Sequence, residues 1–595
     1  MAHLPIAARL HALREQMSFQ SLQASIWPSA DPHLSEYLPP RWQSREWLSG
    51  FAGSAGLLVV TQDWAGLWTD SRYWEQAAKD LAGSGIELMR AGEAGVPEPS
   101  AWLSAHLPAK SRVALDSRSV SMQGLAVWQE AAQDQAFEWV SGTDLLGPIW
   151  TERPAAPCGK VVEHKPPHAC RTRQENLERT RQSMQEQGAH WHLISALDDI
   201  AWTLNLRGED VSYNPVFLSY LLIGPDQAHL FVDSGKLAAG VHDVLAQAGV
   251  AVQDYESLPS FLQALPASLT LLLDPARTTA WAAQLAAHLT ILEQINPAQL
   301  FKSCKTEAEL QHVRQAMEKD GAALCEFFAW LETHDGELTE LDVDVQITAA
   351  RARQAEFVSP SFGTIAAYQA NGAMPHYHAT EQSHARIEGD GLLLIDSGGQ
   401  YLGGTTDITR VVPIGTVSAE QIRDFTLVLK GMISLSRLVF PQGIAGQQID
   451  ALARQPLWEQ GLDFGHGTGH GVGYFMNVHE GPQSISWRGR IGPHSAMRAG
   501  MITSNEPGLY RPGQWGIRIE NLVAAMPAMQ TEYGQFLRFE TLTLCPIDTR
   551  CIDASLLSQE ERVWLNEYHA QVRDRLLPRV QGAARNWLEQ RTQAI

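Results

Sequence analysis

Cysteine is scarce in this sequence, and its six cysteines are scattered along 595 residues. None of them forms a Cys-x-x-Cys pair, which argues against a zinc ribbon, and their spacing does not fit a disulfide scaffold. Unpaired thiols are typical of proteins from a reducing compartment. We therefore expect a cytoplasmic protein.

Long apolar runs are missing as well. No run approaches the ~18 consecutive apolar residues of a membrane-spanning helix. The N-terminal stretch Met1–Met17 looks like a short amphipathic helix and lacks the apolar centre of a signal peptide. The sequence therefore predicts no membrane span.

Basic residues are outnumbered, with 45 Lys and Arg against 66 Asp and Glu, which gives a net charge of −21. Nucleic-acid binding needs basic patches for the phosphates, so a nucleic-acid partner is not expected. The apolar fraction of 44% indicates a globular chain, and the length suggests two to four domains.

Two stretches of the chain share one plan. The phrase WLSGFAG begins at Trp47 and WTLNLRG begins at Trp202, and β-rich sequence follows each of them. In both we expect a tryptophan-containing helix that ends at glycine. We predict two related α/β domains, at residues 1–155 and 156–302, joined by the proline-rich segment 151–167. Residues 303–595 begin with two helical patterns and continue with short strands and glycines, which predicts an α+β domain.

The third region concentrates acidic residues in apolar or β-prone surroundings. Burying one carboxylate is expensive, although a turn or cap can satisfy a single one. Several carboxylates beside a glycine-rich histidine loop need a shared counter-charge, which two divalent cations would supply. The acidic residues are Asp396, Asp407, Glu506 and Glu520, and the loop is His466–Gly471.

The histidines of this loop, His466 and His470, are four positions apart. On a helix that spacing would suggest a zincin, but two glycines lie between them and the glutamate of the HExxH motif is missing. The backbone is expected to be a tight loop or strand, so the two imidazoles need not share a role. A lone histidine is more often structural, but His479 and Glu480 nearby favour a functional site.

Arg518 alternates with Glu520 in the sequence IRIEN. Residues i and i+2 of a strand share a face, so we expect Arg518 beside Glu520, where it would orient this carboxylate and lower its pKa. The alternative is a surface ion pair, which would contribute little.

Six short motifs, taken in order, resemble those of the pita-bread metallopeptidases. They are LLLIDSGG, GGTTDITR, HGTGHGVG, VHEGP, NEPG and RIEN. The resemblance is to the three-domain, cytosolic Xaa-Pro aminopeptidase type. It covers essentially the whole chain, since GFAGSAG and WTDSRYW match in the first domain, and LTLCPID and WLNEYH match in the tail. It implies two creatinase-N-like α/β domains followed by a pita-bread catalytic domain, and a homodimer.

The resemblance also implies a ligand set for two divalent metal ions, usually Mn²⁺, with Zn²⁺ or Co²⁺ as alternatives. Carried over position by position, the ligands are Asp396, Asp407, His470, Glu506 and Glu520. The implied activity is that of an exopeptidase that hydrolyses the bond between an N-terminal residue and a following proline. The attacking group would be a hydroxide that bridges the two metals.

Further residues match family positions with roles in catalysis. His376 would donate a hydrogen bond to the scissile carbonyl oxygen, His479 would help to hold the substrate, and His466 would assist proton movement or bind around the proline. Glu506 would carry a proton from water to the leaving nitrogen, and Arg518, placed by strand alternation instead of by the resemblance, would orient Glu520. Met317 and Phe464 depart from the usual histidine and tyrosine, which bears on substrate range.

Two alternatives differ in function. A prolidase would cleave only Xaa-Pro dipeptides, and its usual build has one N-terminal domain instead of two. A peptide-binding relative without activity would have lost the metal carboxylates, whereas all five expected ligands are present.

Overall fold

The computed structural model describes residues 4–595, and these form two compact units. The first unit runs to Lys165 and resumes at Arg171–Ala298, and the second comprises Pro166–Cys170 and Gln299–Ile595. The boundaries that we placed after residues 155 and 302 stay predictions. Within the described residues, no helix is both long enough and apolar enough to cross a membrane.

The first unit begins with a six-stranded sheet and five helices. The strands are β1 (Ala24–Pro28), β2 (Leu57–Thr61), β3 (Ala65–Thr69), β4 (Glu87–Arg90), β5 (Arg112–Leu115) and β6 (Glu138–Val140). The helices are α1 (Ile6–Phe19), α2 (Ser44–Ser49), α3 (Trp74–Asp80), α4 (Pro99–His106) and α5 (Met122–Ala131). The order of strands in the sheet is β4-β3-β2-β1-β5-β6.

The same unit continues with a second set of strands and helices. The strands are β7 (Val162–Glu163), β8 (Trp191–Ile194), β9 (Leu206–Arg207), β10 (Tyr220–Ile223), β11 (Ala228–Phe231), β12 (Val250–Gln253), β13 (Thr270–Leu273) and β14 (Thr290–Glu293). The helices are α6 (Arg173–Glu186), α7 (Leu197–Leu204), α8 (Val241–Gln247), α9 (Leu258–Gln263) and α10 (Ala280–Leu285), and the boundary to the second unit falls within α11 (Pro297–Ser303). Strand β7 lies inside the segment predicted as a linker, and β9 directly follows α7. The two strands pair with each other.

The two sheets of the first unit have one topology. The second sheet has the order β12-β11-β10-β8-β13-β14. In the first sheet, β1 lies antiparallel to β2 and parallel to β5, and in the second, β8 lies antiparallel to β10 and parallel to β13. The predicted duplication of an α/β fold is therefore confirmed.

Only one of the two tryptophan-containing helices ends at glycine, as predicted for both. Helix α2 ends at Gly50, whose φ is +76°, as expected for glycine in the left-handed region. Helix α7 ends at Asn205, with φ of +48°, and not at the glycine of the motif. Asparagine is the next most suitable residue for this conformation, which explains why the second copy needs no glycine there.

The second unit is an α+β fold with six long helices. These are α12 (Glu307–Thr333), α13 (Glu340–Ala352), α14 (Ala419–Ser436), α15 (Asp450–Trp458), α16 (Gln559–Leu576) and α17 (Gly582–Arg591). Helix α14 ends at Ser436, and Val439 already begins a strand that pairs with residues 536–538.

The strands of the second unit are short, and most of them are antiparallel. They are β15 (Phe357–Pro360), β16 (Ile365–Tyr368), β17 (Gly391–Ser397), β18 (Gly399–Tyr401), β19 (Gly404–Thr405), β20 (Ile408–Ile414), β21 (Val439–Pro441), β22 (Gly469–His470), β23 (Ser484–Ile485), β24 (Ile502–Asn505), β25 (Gly508–Arg511), β26 (Trp515–Arg518), β27 (Asn521–Thr531) and β28 (Gly534–Thr541). The larger sheets have the orders β16-β17-β20 and β21-β28-β27-β24. Strands β25 and β26 form a hairpin.

One hydrophobic core holds these sheets and helices together. It includes Val313 and Phe327 of α12, Leu393 of β17, Val411 of β20 and Leu522 of β27, each at most 1% exposed. Strand β17 is buried along its whole length, which fits its almost uninterrupted apolar sequence. The polar residues at the ends of these buried strands are therefore held in fixed positions.

Candidate active site and metal centre

The predicted metal ligands lie at or next to the ends of strands in the second unit. Asp396 is the next-to-last residue of β17 and stands opposite Thr409 of β20. Each of the other ligands also lies at the end of a strand or directly beside one. Asp407 directly precedes β20, His470 ends β22, Glu506 directly follows β24, and Glu520 directly precedes β27.

Three of the five ligands approach one another closely. Asp407, His470 and Glu520 each offer a ligand atom, and these atoms lie within 4.8 Å of one another. Nε2 of His470 is 3.4 Å from Oδ2 of Asp407 and 3.4 Å from Oε1 of Glu506. Packing of β20, β22 and β24 thus gathers residues that are far apart in the sequence.

Burial makes ionisation of the site carboxylates unfavourable. Burial raises the pKa of Asp396 to about 7, with Asp407 and Glu506 adding to the rise and Arg518 opposing it. Burial also raises the pKa of Glu506, and it raises the pKa of Glu520 well above its usual value. Each of these carboxylates needs a positive neighbour to hold its charge.

His470 has the orientation of a metal-binding imidazole. Its Nδ1 lies 3.0 Å from the carbonyl oxygen of Gly471, and a proton on Nδ1 leaves the lone pair of Nε2 facing the carboxylates. Burial lowers the pKa of His470, but the hydrogen bond with Asp407 and the charge of Glu506 outweigh it and raise this pKa to about 9. The predicted tight loop or strand is also present, since Gly469 and His470 form β22.

Arg518 does not orient Glu520, so this prediction is wrong. The guanidinium of Arg518 donates to Oδ2 of Asp396, from Nη2 at 2.6 Å and from Nε at 3.2 Å. Glu520 instead accepts a hydrogen bond from the Thr409 hydroxyl at 2.8 Å, and its pKa is raised instead of lowered. The strand rule fails because β26 ends at Arg518, so Glu520 lies outside the regular alternation.

Tyr510 is a site residue that the sequence interpretation missed. Its hydroxyl accepts a hydrogen bond from Nη1 of Arg518 at 2.6 Å and lies 2.8 Å from Nε2 of His466. Burial raises the pKa of Tyr510 to about 12. A continuous chain of contacts therefore runs from Asp396 through Arg518 and Tyr510 to His466. The sequence offered one signal, because Tyr510 lies in NEPGLY, four positions after Glu506.

Two further predicted residues, His479 and Glu506, lie beside His470 of this centre. The ring of His479 lies 4.3 Å from that of His470, at an interplanar angle of 84°. The hydroxyl of Ser504 donates to Oε1 of Glu506 at 3.0 Å, and the Glu506 backbone N–H donates to the Thr468 carbonyl. His376 is partly buried in the segment of chain that leads from β16 to β17, and β17 is the strand that carries Asp396.

The residues that depart from the family pattern are both part of the packing. Met317 is 2% exposed within α12, where it belongs to the main core. The ring of Phe464 lies under the Arg454 guanidinium, at 3.8 Å, and its centroid is 4.9 Å from that of the His466 ring. Phe464 therefore shapes the surroundings of His466 without offering a hydrogen bond.

The donor set fits divalent metal ions. Four buried or partly buried carboxylates, Asp396, Asp407, Glu506 and Glu520, lie in this cluster, and the buried Arg518 pairs with Asp396. Oδ1 of Asp396 and Oε1 of Glu520 are buried without a hydrogen-bond partner. Orphaned carboxylate oxygens in a buried anionic cluster are suited to hard or borderline cations, and an imidazole nitrogen suits Mn²⁺ or Zn²⁺ in the same cluster.

Sequence models of known families match almost the whole chain. Residues 311–526 match metallopeptidase family M24, and residues 535–595 match the C-terminal region of that peptidase family. Residues 9–147 and residues 152–309 each match a creatinase/prolidase N-terminal domain.

Full-length relatives carry related names. The chain is 38% identical to Xaa-Pro aminopeptidase 1 of Dictyostelium discoideum, over 99% of this chain and 96% of that protein. It is 39% identical to aminopeptidase P2 of Arabidopsis thaliana, over 96% of this chain and 86% of that protein.

Solved structures give the same fold. The X-prolyl aminopeptidase of Caenorhabditis elegans, described as a cytosolic enzyme with a di-nuclear active site, has a TM-score of 0.94. It is 33% identical and covers 100% of both chains. The Xaa-Pro dipeptidase of Bacillus anthracis, with a TM-score of 0.51 and 23% identity, covers 63% of this chain and shows likeness of fold alone. The predicted creatinase-N-like domains and pita-bread catalytic domain are confirmed.

Proposed function

The chain belongs to metallopeptidase family M24 and is a metal-dependent peptidase, and from this premise we propose that it is an Xaa-Pro aminopeptidase. The substrate would be a peptide with proline at its second position, from which the enzyme releases the N-terminal residue. One observation supports this most strongly. Two buried carboxylate oxygens without a partner lie in a cluster of five donors, within a chain that matches such aminopeptidases along its full length.

We propose that these five residues hold two divalent ions, and that manganese is the preferred metal. The donors would be Asp396, Asp407, His470, Glu506 and Glu520. Ions bound there would act as Lewis acids that lower the pKa of a water molecule and polarise the carbonyl group before proline. Manganese is proposed first because the family that the chain resembles usually uses it, with Zn²⁺ or Co²⁺ as the alternatives.

Glu506 is proposed to move the proton. A carboxyl group with a raised pKa is suited to accept a proton from water and to return it to a leaving nitrogen near neutral pH. The hydroxyl of Ser504 holds Oε1 of Glu506 at 3.0 Å, which limits the carboxylate to few orientations. Without this proton the nitrogen of proline would leave as a strongly basic anion, so it must be protonated as the bond to the carbonyl carbon breaks.

The histidines are proposed to contact the substrate. His376 would donate to the carbonyl oxygen as negative charge develops, which stabilises the transition state more than the ground state. His479 would hold the peptide backbone, beside the ring of His470. His466 would lie near the proline ring, and its link through Tyr510 to Arg518 would fix its tautomer and direction.

The choice between an aminopeptidase and a dipeptidase depends on the length of the substrate. The X-prolyl aminopeptidase structure of C. elegans covers the whole chain, with its duplicated N-terminal fold, whereas the dipeptidase structure covers 63% of the chain. This supports the aminopeptidase. A non-catalytic binding protein is disfavoured by the complete donor set. Location in the cytoplasm and assembly as a homodimer are further proposals, the former supported by the description of the C. elegans enzyme as cytosolic.

Peptide assays can test this function. The full-length protein is stripped with a chelator, then assayed on Gly-Pro and on a longer Xaa-Pro-Xaa peptide with and without Mn²⁺. Release of the first residue from the longer peptide only with metal is expected. Cleavage of the dipeptide alone would identify a prolidase. Tight peptide binding without cleavage would identify a binding protein.

A further inference from the structure

Glu340 is a buried carboxylate that is held entirely by neutral donors. It is the first residue of α13, it is 0% exposed, and in the described chain it forms no ion pair. Oε1 accepts from the Tyr368 backbone N–H at 2.7 Å and from the Asn371 amide at 3.0 Å. Oε2 accepts from the Tyr377 hydroxyl at 2.8 Å and from the Ala385 backbone N–H at 2.7 Å.

All of these donors belong to one segment, residues 368–385. It leaves β16 at Tyr368 and returns to Ala385 before β17 begins. After Tyr368, the last residue of β16, it contains a short 3₁₀ turn at Gln369–Ala373 and otherwise no named helix or strand. A loop of this length has little order of its own, so contacts with the rest of the protein must fix its path.

The segment carries His376, and Glu340 holds it at both ends and in the middle. The middle contact is through Tyr377, the neighbour of His376. The Tyr377 hydroxyl also receives a hydrogen bond from the Asn371 amide at 3.1 Å, and that amide contacts Glu340 as well. The backbone N–H of Glu340 donates to the Ala385 carbonyl, so one residue makes paired contacts with the end of the segment.

We propose that Glu340 is a positioning residue that sets the place of His376 for the reaction. The part that concerns catalysis rests on the proposed function, whereas the anchoring of the segment does not. A carboxylate fits this position because it only accepts, and all its partners here are donors. A glutamine would turn an N–H group toward at least one of these donors and leave it buried without an acceptor.

The start of helix α13 also favours a carboxylate at position 340. Helix α13 begins at this residue, and the unpaired N–H groups of a helix N-terminus favour a negative charge. Thr339 caps the same helix through its side chain, so the helix start does not depend on Glu340 alone. The substitution is therefore expected to affect the segment more than the helix.

Three full-length variants separate these roles. Glu340→Gln keeps the size of the side chain and removes its charge. Tyr377→Phe removes one donor and leaves the carboxylate, so it serves if Glu340→Gln folds poorly. Glu337→Gln is the control, because this nearby side chain is 83% exposed and forms only a surface pair with Arg386.

Amide hydrogen exchange tests the anchoring without reference to activity. In Glu340→Gln, exchange within residues 368–385 is expected to rise about tenfold or more, which corresponds to a loss of ~1.4 kcal/mol of local protection. Exchange in β27 and β28 should stay unchanged. A smaller rise in the same segment is expected for Tyr377→Phe and none for Glu337→Gln. Unchanged exchange in the segment, or an equal rise throughout the second unit, would overturn the proposal.

A double-mutant cycle tests whether Glu340 acts through His376. Glu340→Gln should lower kcat for an Xaa-Pro-Xaa peptide roughly tenfold or more, because small displacements of catalytic groups are costly. In a His376→Ala background the same change should lower kcat less than about twofold. Equal losses in both backgrounds would show that Glu340 acts elsewhere. If the parent enzyme cleaves no such peptide, the proposed function fails, and hydrogen exchange still decides whether Glu340 anchors the segment.

Discussion

Arg518 donates hydrogen bonds from Nε and Nη2 to one carboxylate oxygen of Asp396, a residue 122 positions earlier in the chain. The other oxygen of Asp396 is buried without a partner. The arginine therefore occupies one side of the carboxylate and leaves the other side for a ligand. This contact aims Asp396 into the cluster formed by Asp407, His470 and Glu520.

We expect Arg518→Lys to lower metal affinity and activity. Lysine keeps the charge but cannot make the forked contact with Asp396 or reach Tyr510 at the same time. Loss of such a supporting contact typically reduces metal affinity or activity about 10–100-fold. Titration calorimetry with Mn²⁺ and kcat/KM on an Xaa-Pro-Xaa peptide would measure it. The control is the exposed Arg490, for which the same substitution should change neither. Wild-type affinity in Arg518→Lys would show that the contact does not matter.

Glu506→Gln is expected to stop turnover while the protein stays folded. The amide keeps the hydrogen bond from Ser504 but cannot accept a proton, so catalysis should fall roughly 10²–10⁴-fold. Steady-state assays and circular dichroism would be compared with the parent enzyme. Because Glu506 is also a proposed ligand, the assay must be run at saturating Mn²⁺. Near-normal kcat under that condition would exclude the proton-transfer role.

Metal binding should release protons near neutral pH. Without metal, the pKa of Asp396 is about 7 and that of His470 about 9, so the site retains protons at pH 7. A metal must displace these protons, so affinity is expected to rise between pH 6 and pH 8. Calorimetry in two buffers of different ionisation enthalpy would count the released protons. Affinity that is independent of pH in this range would contradict the prediction.

The same pKa shifts predict how the metal-free protein responds to pH. Asp396 and His470 bind protons more tightly in the folded protein than in the unfolded chain, where the pKa values are about 3.9 and 6.5. Their stabilising contribution is full below those values and is lost as pH rises to about 7 and about 9. Added Mn²⁺ should therefore raise the melting temperature more at pH 8 than at pH 6. An equal increase at both values would argue against proton-coupled binding.

Replacement of Glu480 should destabilise the catalytic unit. Its side chain is 1% exposed and pairs with Lys302, at 3.0 Å, and with Lys305. In Glu480→Gln, two buried ammonium groups face a neutral amide, which is expected to cost about 3–5 kcal/mol. Denaturant unfolding would measure the change. Lys302→Met should cost less, because the pair between Lys305 and Glu480 remains, and exposed Glu589→Gln should have no measurable effect. Similar stability of Glu480→Gln and the parent would contradict the assignment.

Glu480 also shows how a structural residue can bear on the site. It directly follows His479, and its backbone N–H donates to the carbonyl oxygen of Gly471 at 2.7 Å, next to His470. The buried pairs with Lys302 and Lys305 therefore fix the chain between the two histidines. The sequence interpretation noted Glu480 only as a neighbour of the histidine loop, because its lysine partners are 178 and 175 positions away.

The sequence by itself determined the elements and the order of the candidate ligands. The repeated phrases at Trp47 and Trp202 predicted the duplicated α/β fold, and the β-prone surroundings of Asp396 and Asp407 predicted a cluster of carboxylates, because such patterns depend on neighbours a few residues apart. Only the tertiary structure decided which side chains face one another. Arg518 meets Asp396 instead of Glu520, Tyr510 joins Arg518 to His466, and Glu340 holds the segment of His376. These contacts join elements distant in sequence, and their geometry follows from how buried strands and helices pack, which no local pattern specifies.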